Sequence, residues 1–140
     1  MNSLIIINFA LSCYLLGLIL TIQMVHYPAF IYVDRKMFNK FHLFHVRRIS
    51  LIVMIPMGAE FLASSALFFL YPSITHAALF GLVVLIWLST AFLSVPRHNK
   101  LSEHKNPKII SELVLTNWPR TIFWISRVFI LIYILRGNLS

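Results

Sequence analysis

Four apolar blocks, at about residues 4–25, 49–70, 74–95 and 117–136, alternate with three polar connections. About 20 apolar residues in a helix cross the ~30 Å hydrocarbon core of a bilayer, so each block predicts a transmembrane span. The connections differ in character. Residues 31–48 mix Asp34, Arg35, Lys36, Lys40, Arg47 and Arg48 with Phe38, Phe41 and Phe44. That pattern predicts an amphipathic interfacial helix running into span two. The second connection, YPSIT, is short and uncharged, whereas the third, SVPRHNKLSEHKNP, is basic. Pro28 predicts the end of regular helix after span one, and Pro56 and Pro119 predict kinks. Asn106 and Pro107 read as the cap and first residue of a final helix reaching Arg136, with its first turns interfacial. The fold class expected is all-α: one domain, an integral membrane four-helix bundle.

Composition agrees with the pattern. With 59% hydrophobic and 11% charged residues, the chain is not patterned as an ordinary soluble domain. The net charge of +8 raises a nucleic-acid reading, but the basic residues gather in two connections, where membrane topology accounts for them. No nucleic acid is expected. The partners expected are the lipid bilayer, with anionic headgroups near the basic loops, and a hydrophobic small molecule; a homo-oligomer stays open. The positive-inside rule puts both basic loops in the cytoplasm and both termini outside, in a bacterial inner membrane. Lacking a basic leader or a cleavage motif, the first block reads as a retained span. Cys13, the single cysteine, excludes an intramolecular disulfide and is expected to be a small core residue.

Polar residues in the apolar blocks carry the candidate chemistry. Glu60 lies twelve residues from both Arg48 and Pro72, and Arg127 nine from both Trp118 and Arg136, so each falls near the midplane. The two read as partners, either as a structural ion pair or as a charged pair lining a cavity, with Glu60 in acid–base work. Asn117, Arg120, Trp124 and Arg127 recur at intervals of 3, 4 and 3 residues and form one stripe that should face inward.

An up-down bundle also brings His26, His42, His45 and His98 to one end. Each alone could be a surface histidine. Together they suit a redox metal, with iron (non-haem or haem) favoured over copper. His45 and Glu60 are separated by about 22 Å of helical rise, so two sites are expected rather than one. Tyr27 and Tyr32 fit the interfacial aromatic belt, and His76, at the other end, is assigned no role.

The stretches VPRHNKL and LVLTNWPRTIFWISR resemble small four-span membrane proteins related to the anthrone-oxygenase-like group, and VHYPAF and FHLFHVRRIS resemble its bacterial branch. The resemblance covers the last third of the chain well and the rest loosely. It implies oxidation of a hydrophobic, aromatic substrate by dioxygen and points at Pro96, His98, Leu101, Asn117, Trp118, Arg120 and Arg127. His26, His42 and His45 are additions to that pattern. A looser likeness is to four-span haem-binding oxidases.

The leading expectation is a membrane oxidoreductase with a metal or haem held by His26, His42, His45 and His98. Asn117, Trp118 and Trp124 would bind substrate, and Glu60, Arg120 and Arg127 would be catalytic. The rivals are a metal or haem carrier, and a small transporter or complex subunit that uses Glu60 and Arg127.

Overall fold

Four helices carry the chain back and forth in the computed structural model, which describes residues 1–137: α1 (Asn2–Tyr32), α2 (Phe38–Leu70), α3 (Ile74–Glu103) and α4 (Pro107–Gly137). Each is long and apolar enough to cross a membrane. They pack in a ring, α1 against α2 and α4, and α3 against α2 and α4. This is the expected all-α four-helix bundle.

Two helices run further than the prolines suggested. In α1, residues Ile22–His26 form a π-helical turn, followed by Pro28 and a closing 3₁₀ turn at Phe30–Tyr32. In α3, a π turn at Thr90–Ser94 is followed by Pro96. A proline cannot donate to the carbonyl one turn back, and widening the preceding turn lets the chain pass it and stay helical. So Pro28 does not end α1 regularly, and most of the third connection is helix, leaving only His104–Asn106 between α3 and α4. α2 and α4 likewise continue through Pro56 and Pro119.

The amphipathic segment also shifts. Val33 is extended, and Asp34 caps a turn by accepting from the Lys36 amide at 2.8 Å. Helix therefore starts at Phe38, and the amphipathic turns are the beginning of α2 itself. The predicted cap on α4 is present, with Asn106 Oδ1 accepting from the Lys108 amide at 3.0 Å.

The first and third connections lie together at one end. Lys105 Nζ donates to the carbonyls of Ile31 and Val33, both at 2.6 Å, and Asn39 donates to the Glu103 carbonyl at 3.0 Å. At the other end the Met1 amine donates to the Tyr71 hydroxyl at 3.3 Å. Inside are two apolar clusters: Ile5, Leu67, Leu79 and Leu131 near the Met1 end, and a larger group including Leu15, Phe30, Phe38, Met57, Leu113 and Trp124 toward the other. The outer face keeps large apolar side chains exposed, among them Ile55, Leu62, Phe69, Phe92 and Phe129, as a lipid-facing surface does. Cys13 lies on that outer face, not in the core. It occupies a lipid-facing position of α1, next to the inward-facing Ser12.

Candidate functional site

Two buried polar networks lie between the helices. The deeper one centres on Glu60 and Arg127, whose Oε1 and Nε are 3.0 Å apart with both side chains almost fully buried. Arg127 Nε also reaches Ser12 Oγ at 3.3 Å, and Nη2 donates to Asn8 Oδ1 and Ser64 Oγ, each at 3.1 Å. Its Nη1 donates to the Leu79 carbonyl. Glu60 accepts from Ser12 Oγ at 2.6 Å and from Trp124 Nε1 at 3.1 Å. All four helices contribute, and every nitrogen of the guanidinium and both carboxylate oxygens have partners. Such saturation meets the condition on which a buried ion pair is tolerated. Of the two sequence readings of the pair, this geometry favours a structural clasp.

The second network lies toward the basic end. Gln23 Nε2 donates to the Val114 carbonyl at 3.0 Å, and its Oε1 accepts from Asn117 Nδ2 at 2.7 Å. Asn117 Oδ1 in turn accepts from Arg120 Nη1 at 3.2 Å, and that nitrogen also donates to Ser94 Oγ at 3.1 Å. Arg120 is 4% exposed, yet these partners are neutral and its Nε is buried with no acceptor. A buried guanidinium with a free donor is costly, and calls for an acceptor.

A cavity of about 100 Å³ supplies the place. It is lined by Tyr27, Ser50, Thr90, Ser94, His98 and Arg120, with Ile22, Ile49 and Val53 as its apolar part. Its rim includes Met54 and Val95, which are exposed on the outer face of α2 and α3. The pocket therefore opens sideways from the bundle.

The four predicted histidines do converge. His26 Nε2 is 2.6 Å from His45 Nδ1, and His42 Nε2 is 3.1 Å from His98 Nδ1. His98 Nε2 is 3.0 Å from the Tyr27 hydroxyl, and His42 Nδ1 is 3.3 Å from Ser102 Oγ. His45 Nε2 is buried without a partner. The nitrogens pair with each other and with hydroxyls, and among the described residues no three His, Cys, Asp or Glu side chains are arranged around one ion. Ring nitrogens in direct contact also leave no space for a porphyrin between them.

Other expectations move with the geometry. Asn117, Arg120, Trp124 and Arg127 all face inward, as the stripe required. Trp118 is 39% exposed, one position and about 100° away from Asn117, so it faces out of the bundle and not toward the pocket. Trp124 belongs to the deep clasp through its bond to Glu60, while its ring lies 5.5 Å beneath the Arg120 guanidinium. Tyr27 is 3% exposed and is not an interfacial belt residue. The sequence reading placed Tyr27 only in the interfacial belt and gave no role to Ser94 or Ser102. For Tyr27 the available signal was its position beside His26, at the end of a span and one residue before a proline.

Comparison of the chain with protein-family models, curated proteins and solved structures finds no match.

Proposed function

We propose that this chain is a membrane oxidoreductase that draws a lipophilic molecule with an oxygen-bearing head from the bilayer into the Arg120 pocket. One observation carries the reading: Arg120, a buried guanidinium with no carboxylate partner and an Nε that no acceptor answers, lines a pocket that opens sideways. A carbonyl, enol or phenol oxygen is the acceptor such a group calls for. The apolar tail would remain in the lipid, because the cavity is small and its exposed edge includes Met54 and Val95.

The chemistry that suits these residues begins with loss of a proton. A CH₂ group beside an aromatic ketone becomes acidic when the resulting enolate oxygen is held by a fixed cation. Arg120 supplies that cation, and Asn117 and Ser94 fix its plane. Tyr27 and His98 form a hydroxyl–imidazole couple on the same wall, suited to accept the proton. Dioxygen then takes two electrons from the carbanion and bonds to carbon, and protonation gives a hydroperoxide. Loss of water leaves a second carbonyl, so the balance is CH₂ + O₂ → C=O + H₂O. The resemblance to the anthrone-oxygenase-like group supports this choice of oxidant and substrate class. The orientation that accompanies it puts the basic end of the bundle in the cytoplasm of a bacterial cell.

The test is oxygen uptake by proteoliposomes supplied with an aromatic CH₂ ketone. The expected result is one O₂ consumed per ketone oxidised, abolished by Arg120→Gln. Absence of uptake, with no binding of the ketone, would overturn the reading. Stoichiometric iron or copper in the purified protein, lost in a folded His45→Ala variant, would replace it with a metal centre. Reporter fusions to the Met1 end and to the α3–α4 connection check the orientation.

A further inference from the structure

We infer that Tyr27, His98, His42 and Ser102 form a proton path from the pocket to the aqueous edge of the bundle. The inference rests on the pocket reading for what happens at the inner end, but the path itself stands on hydrogen-bond geometry. Three contacts run in series and a fourth turns back on His98. Tyr27 Oη to His98 Nε2 is 3.0 Å, His98 Nδ1 to His42 Nε2 is 3.1 Å, His42 Nδ1 to Ser102 Oγ is 3.3 Å, and Ser102 Oγ to the His98 carbonyl is 3.0 Å.

The last contact fixes the direction of the others. A carbonyl only accepts, so the Ser102 hydroxyl gives its hydrogen to His98 O. Ser102 Oγ then accepts from His42, which makes Nδ1 the protonated nitrogen of that ring. A neutral imidazole carries one N–H, so His42 Nε2 is bare and accepts from His98 Nδ1–H. By the same rule His98 Nε2 is bare and accepts the Tyr27 hydroxyl hydrogen. Every link has one donor and one acceptor, and the three donors from Tyr27 to His42 all point outward, while the Ser102 hydroxyl turns back to the His98 carbonyl.

This is the arrangement a proton needs in order to leave. The Tyr27 hydroxyl, as it takes a proton from the substrate head, passes its own to His98 Nε2. His98 Nδ1 releases its proton to His42 Nε2, and His42 Nδ1 releases one past Ser102 to water. One proton enters and one emerges; no electron moves along the path. Ser102 is exposed while Tyr27 and His42 are buried, so the two ends differ in access to water. The groups that act electrostatically on His98 are His42, His45 and Arg120, none of them an acid. No carboxylate therefore holds a proton on His98.

Two measurements test the path. The first is the nitrogen-15 spectrum of the histidine side chains in the intact protein, which separates the tautomers of a neutral imidazole. Nδ1–H on both His42 and His98 is expected, and Nε2–H on either would overturn the path. The second uses proteoliposomes and a long-chain 4-alkylphenol as probe, with phenolate absorbance reporting binding and a surface-attached pH dye reporting proton release. In His42→Gln, whose amide cannot relay a proton, binding should persist while release slows about 100-fold. Unchanged release in that variant would overturn the path and leave the pocket standing. Failure of the wild-type protein to bind the phenol would instead count against the pocket, and the tautomers would still decide the path.

Discussion

The two buried networks use the same kind of residue to opposite ends. Arg127 and Arg120 are two turns apart on α4 and both are almost fully buried. Arg127 has five hydrogen-bond partners, among them a carboxylate and a backbone carbonyl. Arg120 has two, both neutral and both reached through Nη1, and its buried Nε has no acceptor. A buried charge that is fully answered holds helices together; one that is partly answered holds a place open for something else. In a chain with so few charged groups, that difference separates architecture from chemistry better than burial or depth does.

The sharpest way to break the comparison is to remove Arg127. Arg127→Met strands Glu60 in the core and should cost about 3–5 kcal/mol, read as a loss of thermal stability in detergent. Glu60→Leu combined with Arg127→Met should recover most of that loss, because no charge is then left unpaired. If the single variant kept full stability and lost only turnover, the clasp would be catalytic after all.

Arg120→Gln should behave in the opposite way. Its melting temperature should stay close to wild type, while binding of the 4-alkylphenol probe weakens by about 1.5–3 kcal/mol, roughly 10- to 150-fold in Kd. A large stability loss with unchanged binding would make Arg120 a second structural arginine. Trp124→Phe tests whether the networks are separable, since Trp124 touches both. The ring beneath Arg120 remains, the bond to Glu60 is lost, and the expected outcome is about 1.5 kcal/mol of stability with binding changed less than twofold. Trp118→Ala, on the outer face of α4, should change stability by no more than about 0.5 kcal/mol and leave probe binding as it was.

Much of the bundle was legible because a bilayer imposes one strong rule, about 20 apolar residues per span, and charged residues inside the spans stand out against it. Glu60 and Arg127 were found as partners for that reason. The gathering of His26, His42, His45 and His98 followed from up-down topology alone. Their pairing did not, because which ring nitrogen meets which depends on ångström-scale rotations that spacing does not encode. Trp118 was misplaced by a single helical position. Tyr27 looks like an interfacial tyrosine, since a ring at the end of a span gives the same pattern whether it faces lipid or protein. Asn8, Ser12, Ser64 and Ser94 are small and polar, and hydropathy averages pass over them, although Asn8 and Ser12 complete the clasp from α1.

The two π turns have a consequence that belongs to genetics rather than packing. Each holds one residue more than an α-helical turn needs, and each lies just upstream of site residues: Tyr27 in α1, His98 and Ser102 in α3. Loss of a single codon from Ile22–His26 or Thr90–Ser94 would leave a helix of nearly the same length and greasiness, still able to insert in a membrane. Everything downstream would be turned by about 100°, and the phenol or the imidazole would face the wrong neighbour. The site in this chain is thus one deletion away from an inert bundle, and loss of the Met24 or Phe92 codon would silence it without altering any residue that lines it.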